Sequence, residues 1–403
     1  MVSAAATTHG VAVEGHVEPG FEAVRDAFIA NFARRRELGG ACCAYYRGRK
    51  VVDLWGGIRN AATGEPWERD TMVIVYSATK GLAAMTMALA HSRGWLDYDE
   101  RVSTYWPEFA QQGKERVTVR QLLAHQAGLF ALDEPIDRRL LADLDRLAIV
   151  LARQRPAWEP GTRQSYHAIT LGFYESELLR RVDPRHRSLG RFFQDEIATP
   201  LGLDVYIRLP ESIPDSKLAT ISRPGTIEML LGFPIRATIE FMNPRSKIVR
   251  ALAGSMLAHD EQRVYARNLE IPSGGGVGTA RAVAYAYSVF ATGGRELGLR
   301  PETLRALEAP AIPPIRGFHD ECMKSGDVQF SLGFMKSSRE WPFGSEGSFG
   351  APGAGGSLGF ADPAAGVGYA YVTSRMGTRL TGDPRDIALR EALYAGIGMM
   401  GGL

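Results

Sequence analysis

The sequence predicts an α/β protein in which an antiparallel sheet flanked by helices is built from both chain ends, around an inserted, mainly helical domain. Three observations carry this. A helix-period segment near the amino terminus is followed by two β-rich runs, the middle of the chain is helical and loop-like, and the carboxy-terminal quarter returns to sheet character before a last helix. The expected division is residues 1–90 with 271–403 for the discontinuous sheet domain, and 91–270 for the helical domain with cleft-lining loops. A chain of 403 residues is long enough for a large core organised in this way.

The elements follow in order. Phe21, Val24, Phe28 and Phe32 recur three or four residues apart, as on an amphipathic helix. GGACCAYYRGRK from Gly39 and VVDLWGG from Val51 read as a hairpin around Gly48. A helix followed by antiparallel strands argues against a doubly wound parallel sheet. LAAMTMALAHSRG, from Leu82, is a strong helix pattern closed by Gly94. VTVRQLLAHQAG from Val117, the region 140–153 and TLGFYESELLRRV from Thr170 supply the helical middle. Segment 205–245, rich in proline and weakly periodic, is expected to line or cover a cleft. TARAVAYAYSVFATGG, from Thr279, reads as a helix ending at glycines, VQFSLGFMKS from Val328 and GVGYAYVTSRM from Gly366 as strands, and DPRDIALREALYAG from Asp383 as a capped terminal helix. No internal repeat is evident.

Composition bounds the partners. Apolar residues make up 45% of the chain and charged residues 23%; 47 basic against 45 acidic side chains leave a net charge of +2. Neither nucleic acid nor an anionic membrane is expected as a partner. Cys42, Cys43 and Cys322 are too few for a disulfide scaffold, and Cys42 and Cys43 would point to opposite faces of a strand, so buried thiols are expected. The start of the sequence has no basic stretch leading into an apolar core, and no apolar run reaches membrane-spanning length, so a cytoplasmic location is the expectation. Oligomeric state is left open.

Residues 75–81 read VYSATKG and carry the first candidate for chemistry. Ser77 and Lys80 lie one helical turn apart if a helix begins here. A serine hydroxyl becomes a useful nucleophile when a base takes its proton, and a lysine can be that base when burial lowers its pKa. A capping serine and an ordinary surface lysine would give the same spacing. The context favours the first reading, because Lys80 is the only charged residue from Thr71 through Ala90. Ser357, in GGSLG, fits the G-x-S-x-G elbow, but that motif needs a strand before the serine and a helix after it. A glycine-rich stretch precedes Ser357 and a turn-rich one follows, so a wall or packing role is expected. Tyr166, after the turn sequence WEPGT, could relay a proton between serine and leaving group. His125 and His167 are possible acid–base groups; neither has metal-site spacing, and His125 is expected beside a turn. The glycines from Gly350 to Gly359 lack a phosphate-loop ending and suit a strand edge whose backbone approaches a ligand and donates an oxyanion-hole N–H.

Together these stretches resemble the serine hydrolases of the class C β-lactamase and penicillin-binding-protein superfamily, closest to its β-lactamase-related (family VIII) carboxylesterases. The resemblance runs from about residue 20 to 396. Ser77-Ala78-Thr79-Lys80 matches S-x-x-K; RGWLDYDERVSTYWPEF from Arg93 and VTVRQLLAHQAGL from Val117 resemble the segments that follow; WEPGTRQSYHAITLG resembles the stretch bearing the family tyrosine, at Tyr166; FGAPGAGGSLGFADP from Phe349 resembles the third motif. The resemblance implies that Ser77 is acylated, that Lys80 and Tyr166 share general-base and general-acid work, and that the N–H groups of Ser77 and Ala354 form the oxyanion hole. His125, His167, Ala351, Gly353, Gly355 and Ser357 are the implied pocket residues, with no metal and no cofactor. The implied substrate is a small-molecule ester, with lactones and β-lactams as further candidates.

Two departures bear on substrate. The β-lactamase pattern Y-x-N becomes Tyr166-His167-Ala168, and the third motif, usually K-T-G or H-x-G, reads Ala351-Pro352-Gly353. The loss of polar groups favours neutral esters over β-lactams and peptidoglycan. Acyl transfer, weak β-lactamase or D-amino-acid peptidase activity at the same site, and a noncatalytic ligand-binding or scaffold role are the alternatives.

Overall fold

The hairpin around Gly48 sits where the two chain ends meet. In the computed structural model, which describes the chain apart from residues 1–5, 9–10, 226–239, 241, 380–381 and 402–403, one antiparallel sheet runs in the order β1 (Ala6–Thr8), β2 (Val11–Val17), β4 (Arg49–Asn60), β3 (Gly39–Tyr46), β13 (Val367–Thr373), β12 (Leu358–Asp362), β11 (Phe349–Pro352), β10 (Phe334–Lys336) and β9 (Phe330–Ser331). A short β5 (Glu65–Pro66) adds to β4. The β3–β4 turn takes Arg47 and Gly48 at φ +50° and +79°, the left-handed pair that suits the twist of a two-residue hairpin. Strands β3 and β13 pair from Tyr46↔Val367 to Gly40↔Thr373, which joins the amino-terminal and carboxy-terminal parts of the sheet.

Alternation along these strands sets two cores. Cys42, Ala44, Tyr369 and Tyr371 face the helices α1 (Glu22–Arg34) and α5 (Pro384–Gly401), whereas Cys43, Ala370 and Val372 face the other way. All three cysteines are buried thiols, with Cys42 and Cys43 on opposite faces. The second face receives α4 (Ala280–Ala291), capped by the Thr279 side chain, which accepts from Ala282 N–H at 3.1 Å. The helix lies close enough that a Cβ on Gly368 would stand 2.3 Å from Ser288 N.

Behind that layer runs α2 (Thr79–Ser92), every residue of which is buried from Thr79 to Ala90. An alanine-, leucine- and methionine-rich helix that is apolar all round belongs in an interior, and this one packs against the sheet on one side and the helical middle on the other. That middle contains Val119–Leu123, Arg138–Ala142, Leu144–Arg153 and α3 (Thr170–Val182). The first starts with a capping box: Thr118 Oγ1 accepts from Gln121 N–H at 3.2 Å and Gln121 Oε1 accepts from Thr118 N–H at 3.1 Å. A second, three-stranded sheet joins β6 (Val73–Ile74), β8 (Val277–Gly278) and β7 (Val205–Tyr206).

Two readings change. VQFSLGFMKS is not one strand but the β9–β10 hairpin, turning at Leu332 and Gly333 with φ +51° and +88°. The segment before residue 20, assigned no element from sequence, supplies β2, which completes the pairing of β4. Of the segment 205–245 expected to line or cover a cleft, residues 226–239 and 241 lie outside the described residues. Among the described residues no helix is long and apolar enough to cross a membrane.

Candidate active site

Strand β6 delivers the chain into a single tight turn, Tyr76–Ala78, from which α2 begins. Tyr76 sits at φ +48°, a costly conformation for a non-glycine residue, immediately before Ser77. Hydrogen bonds brace this turn: Val75 N–H donates to Gly276 O at 2.9 Å, Ala78 N–H donates to Val75 O at 3.1 Å, and Gly276 N–H donates to the side-chain Oγ1 of Thr79 at 2.9 Å. The first bond inside the turn is donated by Ala78, so the N–H of Ser77 is one of the unused donors at a helix start.

One turn on, Lys80 is 3% exposed. Its Nζ lies 3.3 Å from Ser77 Oγ, 2.6 Å from Ala168 O and 2.8 Å from Ser273 O. Burial pulls its pKa down to about 7, against the opposing charge of Glu175. Ala168 stands where the Y-x-N pattern of the resemblance has its amide, and its main-chain carbonyl holds the lysine. Loss of the side-chain amide therefore does not leave Lys80 unsupported.

Tyr166 is partly buried above this group, with Lys80 Nζ 4.7 Å from the ring centroid. Burial pushes the phenol well above its ordinary range, and a hydrogen bond with Ser77 offsets part of the rise. The phenol therefore stays protonated at neutral pH.

The two histidines form one unit. His125, at φ +60° in the turn after the Val119–Leu123 helix, accepts at Nδ1 from the His167 main-chain N–H at 2.9 Å. Its Nδ1 also lies 2.9 Å from Nδ1 of His167, whose Nε2 accepts from Leu129 N–H at 2.9 Å. An acceptor at His167 Nε2 requires the proton on Nδ1, which donates to His125. His125 must then carry its own proton on Nε2. Burial holds both rings neutral, His167 down to about 3 and His125 well below its usual value. His125 packs at 4.2 Å between ring centroids on Phe330 and at 5.4 Å on Tyr166. It lines the cleft, whereas His167 sits behind it and fixes its tautomer.

The third wall is the end of β11. This strand is not an edge along its whole length: Phe349 and Gly350 pair with β10 and β12, while Ala351 and Pro352 pair only with β12. That free end abuts the Ser77 turn so closely that a Cβ on Gly353 would stand 2.2 Å from Val75 O. Gly353 N–H donates to Ser357 O at 2.6 Å, and among the described residues the Ala354 N–H has no main-chain acceptor. Arg385 donates to Gly355 O at 3.0 Å while paired to Asp383 and Glu37, and so ties this loop to α5.

Between these walls lies a cavity of about 240 Å³ that contains Ser77, Lys80, His125, Tyr166, Ala351 and Ala354. Its remaining surface includes Ile248, Leu252, Met323, Phe330, Met335, Trp341 and Met376, and among the described residues Lys80 is the single charged residue in the lining. Ser357 is not there: it is 3% exposed, immediately precedes β12 instead of a helix, and borders a neighbouring cavity of about 270 Å³. Gly355 also lies off the cleft, at φ +87° against Met376. Sequence reasoning missed Phe330, Trp341 and the buried Glu175. The last had a signal, since Glu175 falls on the α3 stripe of Leu171, Leu178 and Leu179. Among the described residues there is no cluster able to hold a metal ion.

The chain belongs to the β-lactamase family, whose model matches residues 24–394. It is 31% identical over 374 residues to a Mycobacterium tuberculosis protein named esterase/β-lactamase LipL, a match covering 91% of this chain and 84% of that protein. Among solved structures it is similar to a family VIII carboxylesterase, at 35% identity and TM-score 0.83 over 95% of this chain and 99% of that one. It is similar as well to a penicillin-binding protein homologue from Caulobacter crescentus, at 34% identity and TM-score 0.80 over 95% and 99% of the two chains.

Proposed function

We propose that this protein hydrolyses small, neutral carboxylic esters through an acyl-enzyme on Ser77. Its relatives are named a family VIII carboxylesterase and an esterase/β-lactamase, and the observation that carries the assignment to these residues is the setting of Lys80. A neutral amine has two N–H bonds and one lone pair. The carbonyls of Ala168 and Ser273 take the two N–H bonds, and the lone pair is left for the Ser77 hydroxyl at 3.3 Å. Burial pulls its pKa down to about 7, so free-base Lys80 is accessible at neutral pH.

Ser77 Oγ then attacks the ester carbonyl while its proton passes to Lys80 Nζ. The N–H groups of Ser77 and Ala354 receive the carbonyl oxygen as it gains charge; one such donor contributes roughly 10²–10³ in rate. Collapse breaks the bond to the alkoxide, which takes the Tyr166 proton, and Lys80 returns a proton to the phenol. Tyr166 serves as acid and relay, not as the initial base, because burial keeps it protonated. Water repeats the sequence on the acyl-enzyme, releasing the acid and restoring Ser77. His125 borders the same cavity as a neutral ring.

The cleft lining favours an uncharged substrate, since among the described residues it holds no cation except Lys80 to meet a carboxylate. The test is a panel of p-nitrophenyl and alkyl esters of graded acyl length, lactones and a chromogenic β-lactam, run on wild type and Ser77→Ala. Serine-dependent turnover of neutral esters, with slow β-lactam cleavage, is expected. No ester turnover, or turnover that survives Ser77→Ala, overturns the assignment. An added alcohol as competing acceptor reads the balance between hydrolysis and acyl transfer.

A further inference from the structure

The catalytic cavity has a neighbour. Met335, Trp341 and Pro352 line both the cavity of about 240 Å³ that holds Ser77 and the second one of about 270 Å³, so these three residues form a common wall. Met335 lies on β10 and Pro352 ends β11, where the sheet ladder fixes both. Trp341, the largest of the three, lies on the loop between these strands. Its indole Nε1–H donates to Ser325 Oγ at 3.3 Å and its main-chain N–H donates to Ser338 Oγ at 3.3 Å, while its carbonyl accepts from Ser338 N–H at 3.3 Å. It packs on the core cluster that contains Phe330, Met335 and Phe343. An indole bonded and packed in this way, between two hollows, is a partition.

The second cavity suits an uncharged chain. Phe343, Leu358 and Ile387 give it apolar surface. The two carboxylates that border it from the start of α5 are ion-paired, Asp383 to Arg385 at 2.7 Å and Asp386 to Arg390 at 2.8 Å. Glu340 accepts from the Ser325 hydroxyl, and Glu391 is exposed. We propose that Trp341 is a specificity-determining residue whose indole ends the acyl site: the enzyme takes short acyl chains, and removing the indole joins the two cavities into a site for long ones. This rests on the reading of Ser77 as the acylated nucleophile. The acyl half is the one concerned, because the alcohol half must stay beside Tyr166, its acid, and Tyr166 borders the catalytic cavity and not the second. A pocket of fixed depth discriminates by the methylenes it cannot bury. Each methylene that does pass from water into apolar surroundings contributes about fourfold to binding.

The test is kcat/KM for p-nitrophenyl esters from acetate to dodecanoate, beside a series of acetates of alcohols of graded length. The enzymes are wild type, Trp341→Phe, Trp341→Ala and the double variant Trp341→Ala/Ile387→Trp, with Ser77→Ala as reference and melting temperature as a check on folding. In wild type kcat/KM falls beyond short acyl chains. Trp341→Ala moves the optimum to longer chains, with roughly a fourfold gain for each methylene that enters the second cavity, and Trp341→Phe moves it less. Ile387 borders the second cavity and not the first, so Ile387→Trp refills the far space and cancels the gain. A wild type that prefers dodecanoate overturns the proposal. So do folded Trp341 variants that keep the wild-type chain-length profile, a gain that survives Ile387→Trp, and a gain confined to the alcohol series. Should Trp341→Ala fail to fold, the shift in Trp341→Phe decides. Turnover that survives Ser77→Ala instead brings down the acyl-serine reading on which the proposal rests.

Discussion

Gly353→Ala isolates the contact between the free end of β11 and the nucleophile turn. Gly353 does not adopt a left-handed conformation, so alanine brings no backbone strain and the effect comes from proximity alone. The new Cβ would lie 2.2 Å from Val75 O and 3.3 Å from Ala78 N, against ordinary contact from 3.4 Å. Strand and turn must therefore separate by about 1 Å, a displacement that in an active site costs on the order of 10² in rate. The bond from Gly353 N–H to Ser357 O and the Arg385 tether on Gly355 O resist any wider rearrangement. Because the role proposed for the Ala354 N–H is to meet charge that develops in the transition state, the expected loss is on kcat more than on KM. Steady-state kinetics on p-nitrophenyl butyrate, with circular dichroism to confirm the fold, should show kcat lowered about a hundredfold. A folded Gly353→Ala enzyme with kcat within about threefold of wild type would refute the role given to this strand end.

The pH profile of the wild-type enzyme has a determined sign: Lys80 must be neutral to act, so kcat/KM is low in acid, rises through about pH 7 and levels off above it. Substituting His125 by Gln leaves that limb in place, because neither histidine titrates near neutrality. Tyr166→Phe lowers turnover of alkyl esters by roughly 10²–10⁴ and costs far less with p-nitrophenyl esters, whose leaving group departs without a proton; equal losses on both would remove Tyr166 as the acid.

The legible parts were those whose signal is local. Ser77 and Lys80 share one helical turn, and the absence of other charges around Lys80 foretold its burial. The period of two placed Cys42 and Cys43 on opposite faces, and glycine after Arg47 marked the hairpin. What was hidden depends on contacts far apart in sequence or on conformations the residue type disfavours. His125 and His167 are 42 residues apart and acquire their tautomers only through mutual contact. Leu332 takes a positive φ that leucine does not advertise, so the β9–β10 turn read as continuous strand. The support that Ala168 gives Lys80 comes from a carbonyl, which every residue has, and side-chain patterns carry no trace of it. Ser357 shows the converse: its motif is present, but the strand follows the serine instead of leading to it.

The central claim is that Ser77, activated by Lys80, carries the acyl group. Labelling with an activated alkyl phosphonate, followed by intact mass and peptide mapping, tests it directly. One adduct per chain on Ser77 is expected, absent in Ser77→Ala and strongly slowed in Lys80→Met. An adduct on Ser357, or labelling that persists without Ser77, would contradict it.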